Sequence, residues 1–359
     1  MSETIHDVII IGAGPAGLCT AYELQRRGIK ATLLEAGSHP GWSWSNMAEN
    51  ITVLSPWKRN VMNGSRWSVF NMHRQPPVRE YQLYLETYAE QNALDVICDC
   101  SVERVDRDDD GRFSLTTSNG PMKAKRVVNA TGYFFNPKLP RFEGHDAQLP
   151  MIHSQQFKSV AKLVKDFPDI KRLLVIGGRV SAGQTATELA LSKRFDVDLC
   201  LRHPLRFSRD PWLQKLAFWI FYLVEDHWAK TKPQMLEDTN PPMEGGVTRR
   251  LIEKGEIKKR PCIAKIDGKT VHFDDGQTAD YDLLLACTGY DVVSKHLEPL
   301  QSAHDSPIMP TDGQFASPTV PGLYFIGVDK IRTFRSRYLR GIREDSIFLA
   351  NQFMADVSQ

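Results

Sequence analysis

The chain has no Cys-x-x-Cys pair, no apolar run long enough to cross a membrane, and almost no net charge. Each lack removes a class of function. Six cysteines lie scattered at 19, 98, 100, 200, 262 and 287 of 359 residues. Their spacing offers no redox dithiol, no disulfide framework and no Cys/His zinc site, and this usage suits a reduced, cytoplasmic setting. Lys+Arg 45 against Asp+Glu 43 leaves +2, which makes no electrostatic case for nucleic acid or an anionic membrane. In LQKLAFWIFYLVEDHW the apolar core, Leu216 to Val224, is 9 residues long. A bilayer takes roughly 20, so a buried or capping helix is expected there and no transmembrane segment. The N-terminus shows no basic-then-apolar leader.

Hydrophobic residues at 42 % and charged at 25 % describe a globular chain with a real core, and the length suits about two domains. Near the start, DVIIIGAGPAGLCTAYELQRRGIKATLLEAG reads as an apolar strand, a glycine turn, a helix and a second strand. Gly12 allows the tight turn, Gly14 lets the backbone approach a diphosphate, and Gly17 lets the helix pack close to the strand. The helix start supplies unpaired N–H groups and partial positive charge for the anion. Glu35 ends the second strand 18 residues past Gly17, where an acid accepts hydrogen bonds from ribose hydroxyls and repels a 2′-phosphate.

The same plan recurs in RLLVIGGRVSAGQTATELALSKRFDVDLCLRHP. Gly177 opens the turn and Ser181 and Ala182 enter the helix, but Arg179 stands where the middle glycine is expected. Its side chain limits how closely the backbone approaches a diphosphate, although the guanidinium could itself contact phosphate. The second strand closes on Arg202-His203 rather than on an acid, and a cation there suits a 2′-phosphate. One site therefore suits FAD or NAD and the other NADPH.

Several further segments resemble class B flavin-dependent monooxygenases. HPGWSWSN resembles their Gly-Gly-x-Trp segment, with Trp42 in place of the second glycine. NITVLSPWKRNVMNGSRW resembles the segment that passes near the isoalloxazine, and RVVNATGYFFNPKLP resembles the exit from the FAD domain. FEGHDAQLPMIHSQQF resembles the linker, CTGY the return, and TVPGLYFIGV the closing flavin-domain strand. The resemblance implies an α/β fold of two Rossmann-like, three-layer dinucleotide-binding domains, the NADPH domain inserted in the FAD domain. The expected parts are 1–153 and 290–359 for FAD and 154–289 for NADPH. It implies FAD contacts at Gly12, Gly14, Pro15, Ala16, Gly17, Glu35, Ala36, Trp44, Val102, Thr131, Gly132 and Gly327. The start of the last helix, at Gly341 and Ile342, is expected to offer backbone contacts to the flavin pyrimidine. NADPH contacts are expected at Gly177, Arg179, Ser181, Ala182, Arg202 and His203.

The implied activity is oxygenation of a small organic substrate by O2 through a flavin C4a-hydroperoxide. Ser55 and Asn63 are candidates to hydrogen-bond that adduct. Trp57, Trp67, Phe70, Trp212, Trp219 and Phe221 are candidates to wall the pocket, and Arg59 or Arg332 to orient NADP or a substrate carboxylate. His153 reads more readily as a hinge residue than as a reacting group. A quinone or disulfide reductase, an oxidase and a non-catalytic FAD-binding protein stay open. The short chain leaves the site open or completed by a second copy in a homo-oligomer.

Overall fold

In the computed structural model the described residues are 4–357 apart from 50, 133, 135, 208–223, 225–226, 229–230, 232–242, 244–245, 292–293 and 312. Trp212, Trp219, Phe221 and most of the apolar segment lie outside them. Among the described residues no helix is long and apolar enough to cross a membrane. Contacts divide the chain into two compact units, one of residues 1–46, 52–136 and 292–359, the other of 47–51 and 137–291.

The first unit runs β1 (Ile5–Ile11), α1 (Pro15–Gln25), β2 (Ala31–Leu34), α2 (Trp42–Ser45), α3 (Trp57–Asn60), α4 (Val78–Gln91), β3 (Asp95–Ile97), β4 (Val102–Arg107), β5 (Phe113–Thr117) and β6 (Gly120–Asn129). The sheet order is β3-β2-β1-β6-β5-β4. Val8 to Ile11 and all of β2 are buried, as expected of parallel strands covered on both faces. The Asp-Gly and Asn-Gly turns produce the expected antiparallel meander β4-β5-β6. Strand β6 then continues into the parallel sheet beside β1.

The second unit contains β7 (Met151–His153), α5 (Val160–Asp166), β8 (Arg172–Ile176), α6 (Val180–Leu191), β9 (Asp196–Cys200), α7 (Val247–Glu253), β10 (Ile257–Arg260), β11 (Ile263–Asp267), β12 (Thr270–Phe273), β13 (Thr278–Asp280) and β14 (Leu283–Ala286). Its parallel sheet has the order β10-β9-β8-β14-β7, and β11-β12-β13 form a separate meander. The boundary expected after residue 153 differs from the seam at 136/137, because Met151–His153 pairs with β14 inside the second sheet.

The chain then returns to the first unit through α8 (Glu298–Ser302), β15 (Leu323–Phe325) and α9 (Leu339–Val357). Strand β15 completes the first sheet by pairing with the end of β6.

Candidate functional site

Both glycine turns sit at the carboxyl ends of their parallel strands, where open α/β sheets bind ligands. In the first unit Gly12 has φ +101, and a Cβ there would lie 2.8 Å from the Ala130 carbonyl oxygen. Its N–H donates to Leu34 O at 2.8 Å. A Cβ on Gly17 would lie 2.0 Å from Gly12 O, so helix and turn touch backbone to backbone. Gly14 is different. An added Cβ would meet nothing within 4 Å, so nothing in the protein itself demands a glycine at this place. An open, side-chain-free approach to the start of α1 fits the diphosphate of a dinucleotide.

Glu35 is buried, and burial raises its pKa above the usual carboxylate value. Ala13 N donates to one of its oxygens at 2.9 Å and Gly37 N to the other at 3.0 Å. These bonds fix the carboxylate in place while its remaining lone pairs can accept from ribose hydroxyls. Ala36 follows directly. Gly327 has φ +74, and a Cβ on it would lie 3.0 Å from the Ala16 side chain, so the end of β15 closes over the loop carrying Pro15 and Ala16. Thr131 donates to Asn129 Oδ1 at 3.2 Å, and Gly132 takes φ +65. Trp44 packs 4.7 Å from Tyr81, ring centre to ring centre. Trp42 is accommodated because Gly37 has no side chain; a Cβ there would fall 1.9 Å from the indole. Val102 opens β4 and pairs with Thr117.

The second turn repeats the first. Gly177 has φ +144 and a Cβ would meet Cys287 O at 2.6 Å. Its N–H donates to Cys200 O at 3.1 Å. Arg179 caps α6 at φ −116 and ψ −168, in the same extended region as Gly14 at φ −78 and ψ −174. Gly183 N reaches Arg179 O at 3.0 Å as Leu18 N reaches Gly14 O at 3.0 Å. Ser181 is exposed and Ala182 buried. Strand pairing sets Ile11 opposite Leu34 and Ile176 opposite Cys200. The residue equivalent to Glu35 is therefore Leu201. Arg202 and His203 come one and two places later, both exposed.

Several of the expected site residues are already engaged by other groups of the protein. The Ser55 hydroxyl donates to Asn60 Oδ1 at 2.6 Å, and Asn60 Nδ2 returns a bond to Ser55 O at 2.7 Å, so Ser55 locks its own loop. Asn63 Nδ2 donates to Glu23 Oε1 and to Arg343 O, each at 3.0 Å. Both its amide hydrogens are taken, leaving none for a flavin adduct. The N–H groups of Gly341 and Ile342 donate to Tyr338 O at 2.9 and 3.2 Å rather than pointing at a ligand. Gly341 is required instead because a Cβ would fall 2.0 Å from Arg335 O. Arg332 is held by Asp345 at 2.7 Å and Glu344 at 3.0 Å. Trp57 and Trp67 pack with Tyr84 in an aromatic cluster, and Phe70 is fully exposed.

His153 is fully buried. It bonds Gly289 O through Nε2 at 3.0 Å and accepts Gln155 N–H through Nδ1 at 3.2 Å. With both nitrogens occupied, it ties β7 to the segment after β14.

A part-buried cluster escaped the sequence reading. Asn129, at the end of β6, accepts from His296 Nε2 at 3.0 Å as well as from Thr131, and donates to Ser294 Oγ at 3.2 Å. Burial lowers the His296 pKa to about 4, so the ring is neutral at ordinary pH. The only available signal was a polar residue, Asn129, following the buried Val127-Val128 pair at the end of β6.

The pattern of the family described as pyridine nucleotide-disulphide oxidoreductase matches residues 9–327. The chain belongs to this family. An uncharacterised oxidoreductase, CzcO-like, from Geobacillus kaustophilus is 26% identical over 98% of this chain and 99% of its own length. A double mutant of the flavin monooxygenase from Stenotrophomonas maltophilia shares the fold with TM-score 0.79, 22% identity and coverage of 97% and 98%. The bacillithiol disulfide reductase from Staphylococcus aureus shares it with TM-score 0.73, 19% identity and coverage of 98% and 99%. FAD and NADPH are the cofactors typical of this group, and the two glycine turns fit one each.

Proposed function

We propose that the protein is an FAD-dependent, NADPH-reduced monooxygenase acting on a small organic substrate. Gly12, Gly14, Gly17 and Glu35 would hold FAD, with Ala16 and Gly327 beside its diphosphate. Gly177, Ser181, Ala182 and Arg202 would hold NADPH. When bound, the nucleotides supply a hydride and the means of passing its electrons to O2. The chain itself would bind and orient them and hold the Glu35 carboxyl in place as a ribose acceptor. His153 and His296, each with its pKa lowered by burial, act as fixed structural bonds.

The neighbouring fold is shared by a monooxygenase and a disulfide reductase, so residues must decide between them. The feature that favours oxygenation is the start of α1. The position available to a reacting thiol there is Ala16, and no other cysteine replaces it. Cys19, three residues on, is buried against Ser346, and burial pushes its thiol up to about 11. A thiolate is the reactive species, so this cysteine is inert. The same holds for Cys287, pushed up to about 12. Quinone reduction keeps no such requirement and is the second reading.

The test is anaerobic reduction of the FAD-loaded protein with NADPH, followed by rapid mixing with O2. Oxygenation predicts that oxidised-flavin absorbance returns after a resolved lag that lengthens with NADP⁺. Immediate return in one phase, with H2O2 equal to the NADPH used, contradicts it and favours an oxidase or reductase.

A further inference from the structure

We infer that Arg179 grips the diphosphate of the second nucleotide with its side chain, replacing a backbone approach by a cation. This rests on the reading of the second unit as the NADPH site. The two loops are alike in backbone here and differ in their side chains. Their turns close on equivalent carbonyls, their helices begin with equivalent backbone bonds at 3.0 Å, and both cap residues are extended. The arginine is therefore there without backbone strain. At Gly14 the space for a Cβ is open to 4 Å, which leaves room there for a ligand. In the second unit the Cβ of Arg179 takes the place that a Cβ on Gly14 would take.

Arg179 is exposed and makes no ion pair or hydrogen bond through its guanidinium among the described residues. The free N–H groups of α6 lie behind it. Val180 adds one where Pro15 has none, so the helix start keeps its attraction for an anion. A planar fork of donors above that start suits two phosphates better than any other ligand group. Arg202, after β9, would meet only the 2′-phosphate. The two arginines thus divide the recognition. Arg179 reads what NADH and NADPH share, and Arg202 reads what separates them. Charge held on an exposed side chain is also screened by salt, so this site should weaken with ionic strength more than the first.

The experiment measures binding of NADP⁺, NAD⁺ and 2′-AMP to the FAD-loaded enzyme by calorimetry, at low and high salt. Arg179→Gly restores the ordinary glycine. It should weaken NADP⁺ and NAD⁺ alike, by about tenfold for one lost charge-assisted contact. It should leave 2′-AMP, which has no diphosphate, unchanged, and flatten the salt dependence. Arg179→Lys should recover part of the loss. Tighter binding by Arg179→Gly would show that the arginine obstructs the site, and unchanged binding that it points to solvent; either overturns the inference. A native protein that binds neither NADP⁺ nor NAD⁺ would overturn the nucleotide reading as well.

Discussion

The two units are built on one plan and differ where a ligand would touch them. In each, a glycine of positive φ lies under a carbonyl, Ala130 in the first and Cys287 in the second. Each opens a parallel sheet flanked by an antiparallel meander. The first unit then puts Gly14, Gly17 and Glu35 around the turn, and the second puts Arg179, Ala182 and Leu201-Arg202 at the corresponding places. The glycine under the carbonyl is the same in both, and the residues after it differ in size and charge. The lesson is that a glycine required by backbone contact can be told from one that is not: Gly12 and Gly17 lie against backbone, and Gly14 does not.

The sharpest way to break this comparison is at the helix starts. Gly17→Ala would push a methyl to 2.0 Å from Gly12 O, and we expect the purified protein to be colourless or insoluble. Ala182→Gly, the mirror change, should keep FAD and NADPH activity. Absorbance of the purified proteins checks both. Next in size, Arg202→Glu should raise KM for NADPH at least about tenfold through charge reversal at the 2′-phosphate while leaving that for NADH little changed. Equal effects on both would remove Arg202 from its role.

A smaller effect concerns His296. Its folded pKa of about 4 lies below the ordinary 6.5, so folding favours the neutral ring. That contribution is present above pH 6.5 and is lost as pH falls from 6.5 towards 4. His296→Gln should therefore lose less thermal stability than wild type over that window, read as Tm against pH. Smallest of all, Ser55→Ala leaves buried Asn60 without a donor and should cost about 1–2 kcal/mol of stability. Turnover should change little, since the hydroxyl serves Asn60 and not a substrate.

The sequence made the fold legible because its signals were local. Glycine turns, apolar strands of four or five residues, and Asp-Gly and Asn-Gly turns each report on a few neighbours. The site was legible only in part. Arg202 looked equivalent to Glu35, but strand register places Leu201 there, and register is a property of paired strands. Asn63 looked like a polar loop residue available for chemistry; its partner Arg343 is 280 positions away. Gly341 looked like a ligand contact because it begins a helix, whereas its backbone packs against Arg335. His296 and Asn129 stand 167 residues apart, and only the return of the chain after β14 brings them together.

The division of labour between the two units is tested most directly by anaerobic titration of the FAD-reconstituted protein with NADPH and, separately, NADH. One FAD per chain, bleached by one equivalent of NADPH and far less readily by NADH, is the predicted result. Protein that takes up no flavin, or whose flavin stays oxidised with NADPH while dithionite bleaches it, would contradict the account.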